Sequence, residues 1–457
     1  MFRRCSSRLY RGSQTLSVYG LSIGIGLSVF FVLAFSVCAN EYELQYKVSD
    51  LRKEGMYTSG QFLRPSIRSE EKLSAEPKYR SKTPVYAVVT LGSDADSKYT
   101  IVIDESKGTG RGYDVLYADS NNNENLTDDR KIAGRIRQQG KNFTVGNYGP
   151  VEVMINYGDR MVPYYFSVEY NLYGAQKIQL SGRDRKYIGN MNLRLEPSGY
   201  YTGVVSFGES ERRIAVVDFN CNGIFNEYFM PRSDIRGPEE RLYAIGDQIL
   251  IDLNGDGRFE RGHTGNKELY PYAKYLQVDG NWYSLDIPAH GNNVKVQTPS
   301  LKFGTIKIPS KPGSCSLQLV SSNGIMKFEE TGKEFQVPTD VYRLYAHTTQ
   351  VKDSSVNWRY EANGTASGKQ FQVSESDVLE LSFSAPLLVN VSYYNRSGGR
   401  SGRLKAGNTI ELSLTLSGQG GEIYTNVQKG HDRPPAPTFV VVDESGKNVA
   451  EGTFEYG

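Results

Sequence analysis

From Pro84 onward the chain is written in short alternating runs of Val, Ile, Thr and Tyr, such as VYAVVTL, YTIVID, VEVMINYG and RIAVVD, separated by turns rich in Gly, Asn or Asp. A period of two gives a half-buried strand one apolar face, and β-branched and aromatic side chains fit a pleated surface better than a helix. Runs this short, repeated at this spacing, restrict the chain to antiparallel sheets folded back by tight turns. The 32 Tyr and 47 Gly point the same way, and no heptad pattern or long amphipathic helix competes. At 457 residues the chain is also too long for one ordinary core. A mostly β protein is expected: an antiparallel β domain over 83–300, then two small β-sandwich modules over 301–385 and 386–457.

The amino terminus breaks this pattern. Arg3, Arg4, Arg8 and Arg11 precede a segment from Gly12 to Asn40 that carries no charge. A basic start, an apolar stretch and small or aliphatic residues at Val37-Cys38-Ala39 read as a signal peptide over 1–39, cut after Ala39. The same stretch is long enough to cross a hydrocarbon layer of about 30 Å, so an uncleaved membrane anchor is the alternative. Residues 40–82, charged and interrupted by Pro65 and Pro77, read as a linker or as an arm lying on the next domain. The expected location is the periplasm, the cell envelope or the extracellular space, with the membrane a partner only through an uncleaved leader. With 53 basic and 51 acidic residues the net charge is +2, which gives no field to attract nucleic acid. Beyond the leader only Cys221 and Cys315 remain, too few for a disulfide scaffold; one bridge or two separate thiols would fit them equally.

Three turns carry more than turn chemistry. Loop one, DSNNNENLTDD, starts at Asp119; loop two, DFNCNGIFNE, at Asp218; loop three, DLNGDGRFE, at Asp252. Each offers side-chain oxygens at positions 1, 3 and 5 and an apolar residue at position 8, which is Leu126, Phe225 or Phe259. Alternate oxygens on a tight loop converge on one point, which suits calcium, a hard cation that takes six to eight oxygens at about 2.3–2.6 Å. An EF-hand closes its loop with a bidentate Glu at position 12. Here that position is Arg130, Phe229 or His263, and the runs YDVLYA, RIAVV and QILI enter as strands, so strand-loop sites closed earlier by other acids are expected.

In loop three the candidate ligands are Asp252, Asn254, Asp256, the Arg258 carbonyl and Glu260, with Gly257 at the reversal. In loop two they are Asp218, Asn220, Asn222, the Ile224 carbonyl, Asn226 and Glu227, with Gly223 at the reversal. Loop one offers Asp119, Asn121, Asn123, Asn125 and Asp128, with Asp129 as an alternative closing acid and Glu124 where glycine is expected. Motif charges and glycines rank loop three first and loop one last, since loop one also reads as a plain Asn-rich turn.

The run YDVLYADSNNNENLTDD, with RIAVVDFNCNGIFNE and QILIDLNGDGRFE followed by WYSLDI, resembles uncharacterised exported proteins of planctomycete-type bacteria that carry D-x-N-x-D-G loops and end in small β-sandwich modules. The resemblance covers about Pro84 to Gly457 and implies calcium binding and an envelope location, with no activity attached. Glu124 and Cys221 depart from the small residues usual at those places.

Catalytic motifs are missing. His263, His290, His347 and His431 lie far apart without HExxH or Cys-pair spacing, and there is no GxSxG elbow. GTGRG from Gly108 to Gly112 sits between two strands, where glycine serves a turn. A glycosidase needs only two facing carboxylates, which 51 acids neither locate nor exclude. Trp282, Tyr283 and Trp358 lie in alternating strands, where core packing competes with a sugar-binding platform. The expected function is an exported, non-enzymatic, calcium-binding structural or scaffold protein of the cell envelope. The alternatives are a glycan- or protein-binding adhesion component and a carboxylate-dependent hydrolase.

Overall fold

The computed structural model describes residues 40–93, 97–110, 112–174, 177–183, 185–232, 242–261, 266–308, 314–330, 334–353, 355–381, 387–395 and 410–455. Every element in them is a β-strand, and the strands pair antiparallel except for Val378–Glu380 against Phe303–Lys307; the isolated bridge between Ala75 and Asn125 is also parallel. The leader read from residues 1–39 lies outside the described residues, as does His263. Among the described residues no helix is long and apolar enough to cross a membrane.

The longest hairpin illustrates how alternation builds the fold. In Met161–Tyr173 the side chains of Tyr164, Phe166, Val168, Tyr170 and Leu172 are buried, while those between them are half-buried or exposed. Its partner Phe143–Asn156 runs antiparallel, with Val162 opposite Ile155 and Phe166 opposite Val151. The sheet they share is ordered Gln61–Leu63, Met191–Pro197, Met161–Tyr173, Phe143–Asn156, Arg135–Gln139. A second runs Leu269–Pro271, Gln248–Ile251, Ser210–Val217, Gly199–Phe207, Gln45–Val48. A third contains Val85–Thr90, Lys98–Asp104, Val115–Ala118 and Ile132–Ala133, and a fourth Asn40–Glu43, Asn293–Gln297, Asn281–Asp286 and Tyr275–Val278. Their apolar faces meet in one core that includes Val89, Ile101, Val153, Phe166, Leu195, Ile214, Ile249 and Val294. Fully burying a side chain of this kind contributes roughly 1.5–3 kcal/mol.

The stretch 40–82 supplies three of these strands. Asn40–Glu43 pairs with Asn293–Gln297, Gln45–Val48 with Gly199–Phe207, and Gln61–Leu63 with Met191–Pro197. Leu44, between the first two, is buried in the main core.

Beyond residue 300 a second core gathers Ile306, Leu317, Leu319, Phe328, Phe335 and Tyr342. Its main sheet passes through both C-terminal stretches. Val356–Asn363 pairs with Ile423–Lys429, which leads through Ile410–Ser417 to Leu388–Asn395 at the edge. Thr438–Val442 and Asn448–Thr453 form a separate hairpin. Of the three aromatic residues weighed as a sugar platform, Tyr283 is buried in the main core and Trp282 packs against Phe303 and Phe328. Trp358 is half-buried beside Tyr360, with the Lys429 ammonium over its ring.

Candidate metal centre

All three acidic loops continue directly from strands. Val115–Ala118 runs into Asp119, Ser210–Val217 into Asp218 and Gln248–Ile251 into Asp252. The last two strands are antiparallel neighbours, with Ile214 opposite Ile251, so loops two and three leave the sheet at opposite ends. The position-8 side chains Leu126, Phe225 and Phe259 are buried and anchor the far end of each loop in a core.

The backbone turns the same way in each loop. Position 4 is Asn122, Cys221 or Gly255, at φ 56°, 59° and 72°, and position 6 is Glu124, Gly223 or Gly257, at φ 64°, 76° and 78°. These turns aim main-chain N–H groups at the position-1 carboxylate. The N–H of position 6 donates to it in every loop: Glu124 to Asp119 at 3.0 Å, Gly223 to Asp218 at 2.7 Å and Gly257 to Asp252 at 2.8 Å. The other carboxylate oxygen accepts from Asn123, Asn222 or Gly255. Position 5 accepts from the N–H of position 7, at 2.9 Å for Asn123–Asn125, 2.9 Å for Asn222–Ile224 and 2.8 Å for Asp256–Arg258. Glu124 thus takes the left-handed turn that glycine takes in the other loops, at a strain of about 1–3 kcal/mol. Ser74 braces it by donating its N–H and hydroxyl to the Glu124 carbonyl.

The candidate closing acids separate into two kinds. Asp128 Oδ2 accepts from the Asn123 amide at 2.9 Å, and Glu227 Oε2 accepts from the amides of Asn220 and Asn222 at 2.8 and 2.6 Å, so both face their loops. Glu260 is turned to the next hairpin, where Oε2 accepts the Lys267 N–H at 2.9 Å. Asn121 and Asn254 accept from the N–H two residues on, Asn125 accepts from the N–H and hydroxyl of Thr127, and Asn226 is exposed. Among the described residues no three His, Cys, Asp or Glu side chains stand together as a metal cage. A cation here would therefore take mixed donors from carboxylates, amides and carbonyls. Loop two fits that requirement best, because Asn220 Oδ1 is buried and finds no hydrogen-bond partner among the described residues.

Each loop is also stapled by an acid at or beyond its end. Asp129 Oδ1 accepts the Ser120 N–H at 3.0 Å in loop one. Asp247 Oδ2 accepts the Glu227 N–H at 2.7 Å and the carboxylate also takes the Phe219 N–H in loop two. Glu268 accepts from Leu253 at 3.0 Å and from Glu260 at 2.8 Å in loop three. Sequence reading weighed Asp129 but missed Asp247 and Glu268. Their one signal is position, since each stands immediately before a short strand, Gln248–Ile251 or Leu269–Pro271.

The electrostatic settings differ sharply. Burial pushes the Asp218 carboxyl up to about 6, against the hydrogen bond it accepts from the Tyr164 hydroxyl at 2.7 Å. Asp247 is raised too, first by burial and then by the charge of Asp218. Burial likewise raises Asp129. Loop three is exposed from Asn254 to Arg258, and the Arg213 guanidinium donates to the Gly257 carbonyl at 2.6 Å while lying 4.9 Å from the Phe259 ring centre. Lys53, Arg213, Arg258 and Arg261 line a cleft of about 480 Å³ there, with Glu54 as the acid among its lining residues. Cys221, inside loop two, and Cys315 are separate buried thiols. No protein-family model, no curated protein and no solved structure matches this chain.

Proposed function

We propose that the chain is an exported, non-enzymatic scaffold of the cell envelope whose β domain is held together by calcium at its acidic loops. The shared loop geometry carries this reading. Three sequences that differ at position 4, one with Glu at position 6, adopt the same pair of left-handed residues and wrap main-chain N–H groups around the same carboxylate. A hairpin reversal alone needs no such repeated oxygen ladder.

The ligands would be Asp218, Asn220, Asn222, the Ile224 carbonyl and Glu227 in loop two. In loop three they would be Asp252, Asn254, Asp256 and the Arg258 carbonyl, and in loop one Asp119, Asn121, Asn123 and Asp128. Bound calcium would supply the positive charge that these carboxylates lack. The resemblance to exported planctomycete-type proteins supports the envelope location. The hydrolase reading gains nothing from the basic cleft beside loop three. Thermal melting in millimolar calcium and in excess chelator tests the proposal. Calcium at 100 times its dissociation constant should add about 2.7 kcal/mol, and identical melts would sink it.

A second reading, a protein-binding adhesion component, draws on the edge strand Leu388–Asn395. Leu388, Val389, Val391 and Tyr393 are exposed there, and the described strand carries no charge to oppose pairing with another chain. Sedimentation of the wild type against Val391→Lys tests it, since edge association should vanish in the variant.

A further inference from the structure

The cleft beside loop three gathers charge that neither the fold nor the acidic motif requires. Lys53 comes from the turn of the N-terminal arm, Arg213 from the strand Ser210–Val217, and Arg258 and Arg261 from the loop and its exit. Both walls stand on one small core, where Leu51 and Met56 of the arm pack with Tyr200 and with Phe259 of the loop. Arg213 is fixed at the floor, its N–H groups engaged by the Gly257 carbonyl at 2.6 Å and by the Thr202 and Tyr200 hydroxyls at 3.4 Å. Arg261 lies against Gly55, where an added side chain would meet its Cγ at 2.4 Å. Glu54, the acid among the lining residues, already accepts the Lys47 ammonium at 2.8 Å and the Ser49 hydroxyl at 2.9 Å. The acids of the loop are engaged as well: Asp252 takes the Gly255 and Gly257 N–H groups, Asp256 that of Arg258 and Glu260 that of Lys267. Lys53 meets Asp50 at 3.5 Å in an exposed pair that water screens. Arg258 and Arg261 are exposed and form no ion pair among the described residues.

Four cations around about 480 Å³ repel one another, and nothing in the packing of the cleft needs that crowding. We infer that the cleft binds a small multivalent oxyanion, a phosphate or sulfate ester, gripped between loop three and the arm. Arg213 supplies a fixed positive charge at the floor and Lys53 a mobile one at the rim. Arg258 and Arg261 supply planar forks, whose paired N–H groups match the oxygens of a phosphate or sulfate. The volume lies within the range of small-ligand pockets, about 300–1,000 Å³. Cations converging from three elements favour several charges on the ligand over a lone carboxylate. A chain of net charge +2 offers no wider field for a nucleic acid, so the ligand is small. None of these side chains is among the calcium ligands proposed above, and the two sites stand or fall separately.

Calorimetric titration of the calcium-free full chain at low salt tests the site, with glucose bisphosphate, glucose disulfate and unmodified glucose as probes. The wild type should bind at least one of the two esters at a single site and should ignore glucose; the tighter of the two tells phosphate from sulfate. Arg258→Gln and Arg261→Gln remove exposed charges, leave the main chain of the loop intact, and should each weaken that site about tenfold. Lys141→Gln removes an equal charge from the exposed turn after Arg135–Gln139 and should change the affinity by less than about twofold. Melts of the variants check that they fold, and if one arginine variant does not, the other carries the test. A wild type that binds neither ester overturns the inference. So does a folded arginine variant that keeps full affinity, or an equal loss in Lys141→Gln, which marks diffuse attraction to charge.

Discussion

Loops two and three read almost alike, each with Asp, Asn, a third amide or acid, Gly and Phe at positions 1, 3, 5, 6 and 8, and their backbones turn alike. Their settings are opposite. Loop two is wedged into the interior, where a side chain added at Gly223 would meet Ile155 Cδ1 at 2.4 Å and the Tyr164 hydroxyl covers Asp218. Loop three stands in solvent, with nothing within 4 Å of the same point on Gly257 and the Arg213 guanidinium on its carbonyl. The motif thus sets the course of the backbone, whereas the packing around it sets the charge balance. In a low-dielectric interior that balance is amplified, and in solvent it is screened.

The largest expected effect lies in the first carboxylate. Asp218→Ala strips the acceptor from the Tyr164 hydroxyl and the Asn222 and Gly223 N–H groups inside the protein, for a loss of about 3 kcal/mol or more. Asp252→Ala frees N–H groups of the exposed Gly255 and Gly257, which water can reach, and should cost about 1 kcal/mol. Denaturant unfolding in chelator measures both, and equal losses would break the contrast. The glycines come next. Both need a positive φ, so alanine strains each by about 1 kcal/mol, but Gly223→Ala adds the collision with Ile155 for a total of about 3 kcal/mol.

A smaller effect is the pH dependence. The Asp218 carboxyl is raised to about 6 in the folded protein from an ordinary 3.8, so the stability it contributes is fully present below about pH 4 and is lost as pH rises through 6. From pH 5 to 7 the calcium-free protein should lose roughly 1–2 kcal/mol through this group, a slope that Asp218→Asn flattens. A slope indifferent to that substitution would remove the buried charge from the comparison. The smallest effect extends the comparison to loop one, where Glu124→Gly should relieve its left-handed strain and stabilise the protein by about 1 kcal/mol.

Much of this was legible in sequence because it is local. Alternation announced the strands, and the position-8 residues Leu126, Phe225 and Phe259 announced where each loop returns to a core. The ranking that put loop three first counted oxygens within the motif alone. Asp247, Tyr164 and Arg213 reach the loops from other elements, and no periodicity in the chain records that approach. The strands of residues 40–63 were hidden for a related reason, since short charged segments such as NEYE and QYKV become strands only when a partner is presented to them. Pairing between Val356–Asn363 and Ile423–Lys429 across the composition change near residue 385 is equally non-local.

Those early strands carry a consequence for how the molecule survives its own assembly. Asn40–Glu43, Gln45–Val48 and Gln61–Leu63 each occupy the outermost place in a different sheet. An outermost strand with free main-chain groups is a template for aggregation until something covers it. Here one short length of chain covers three longer borders with strands of three or four residues, two of them carrying charge, which make poorer templates, yet the first of them pairs only when Asn293–Gln297 has been made and positioned. Closing so long a loop is slow, because its entropy is lost before the pairing returns any energy. The period between synthesis and sealing is therefore when this chain is most exposed to sticking to its neighbours.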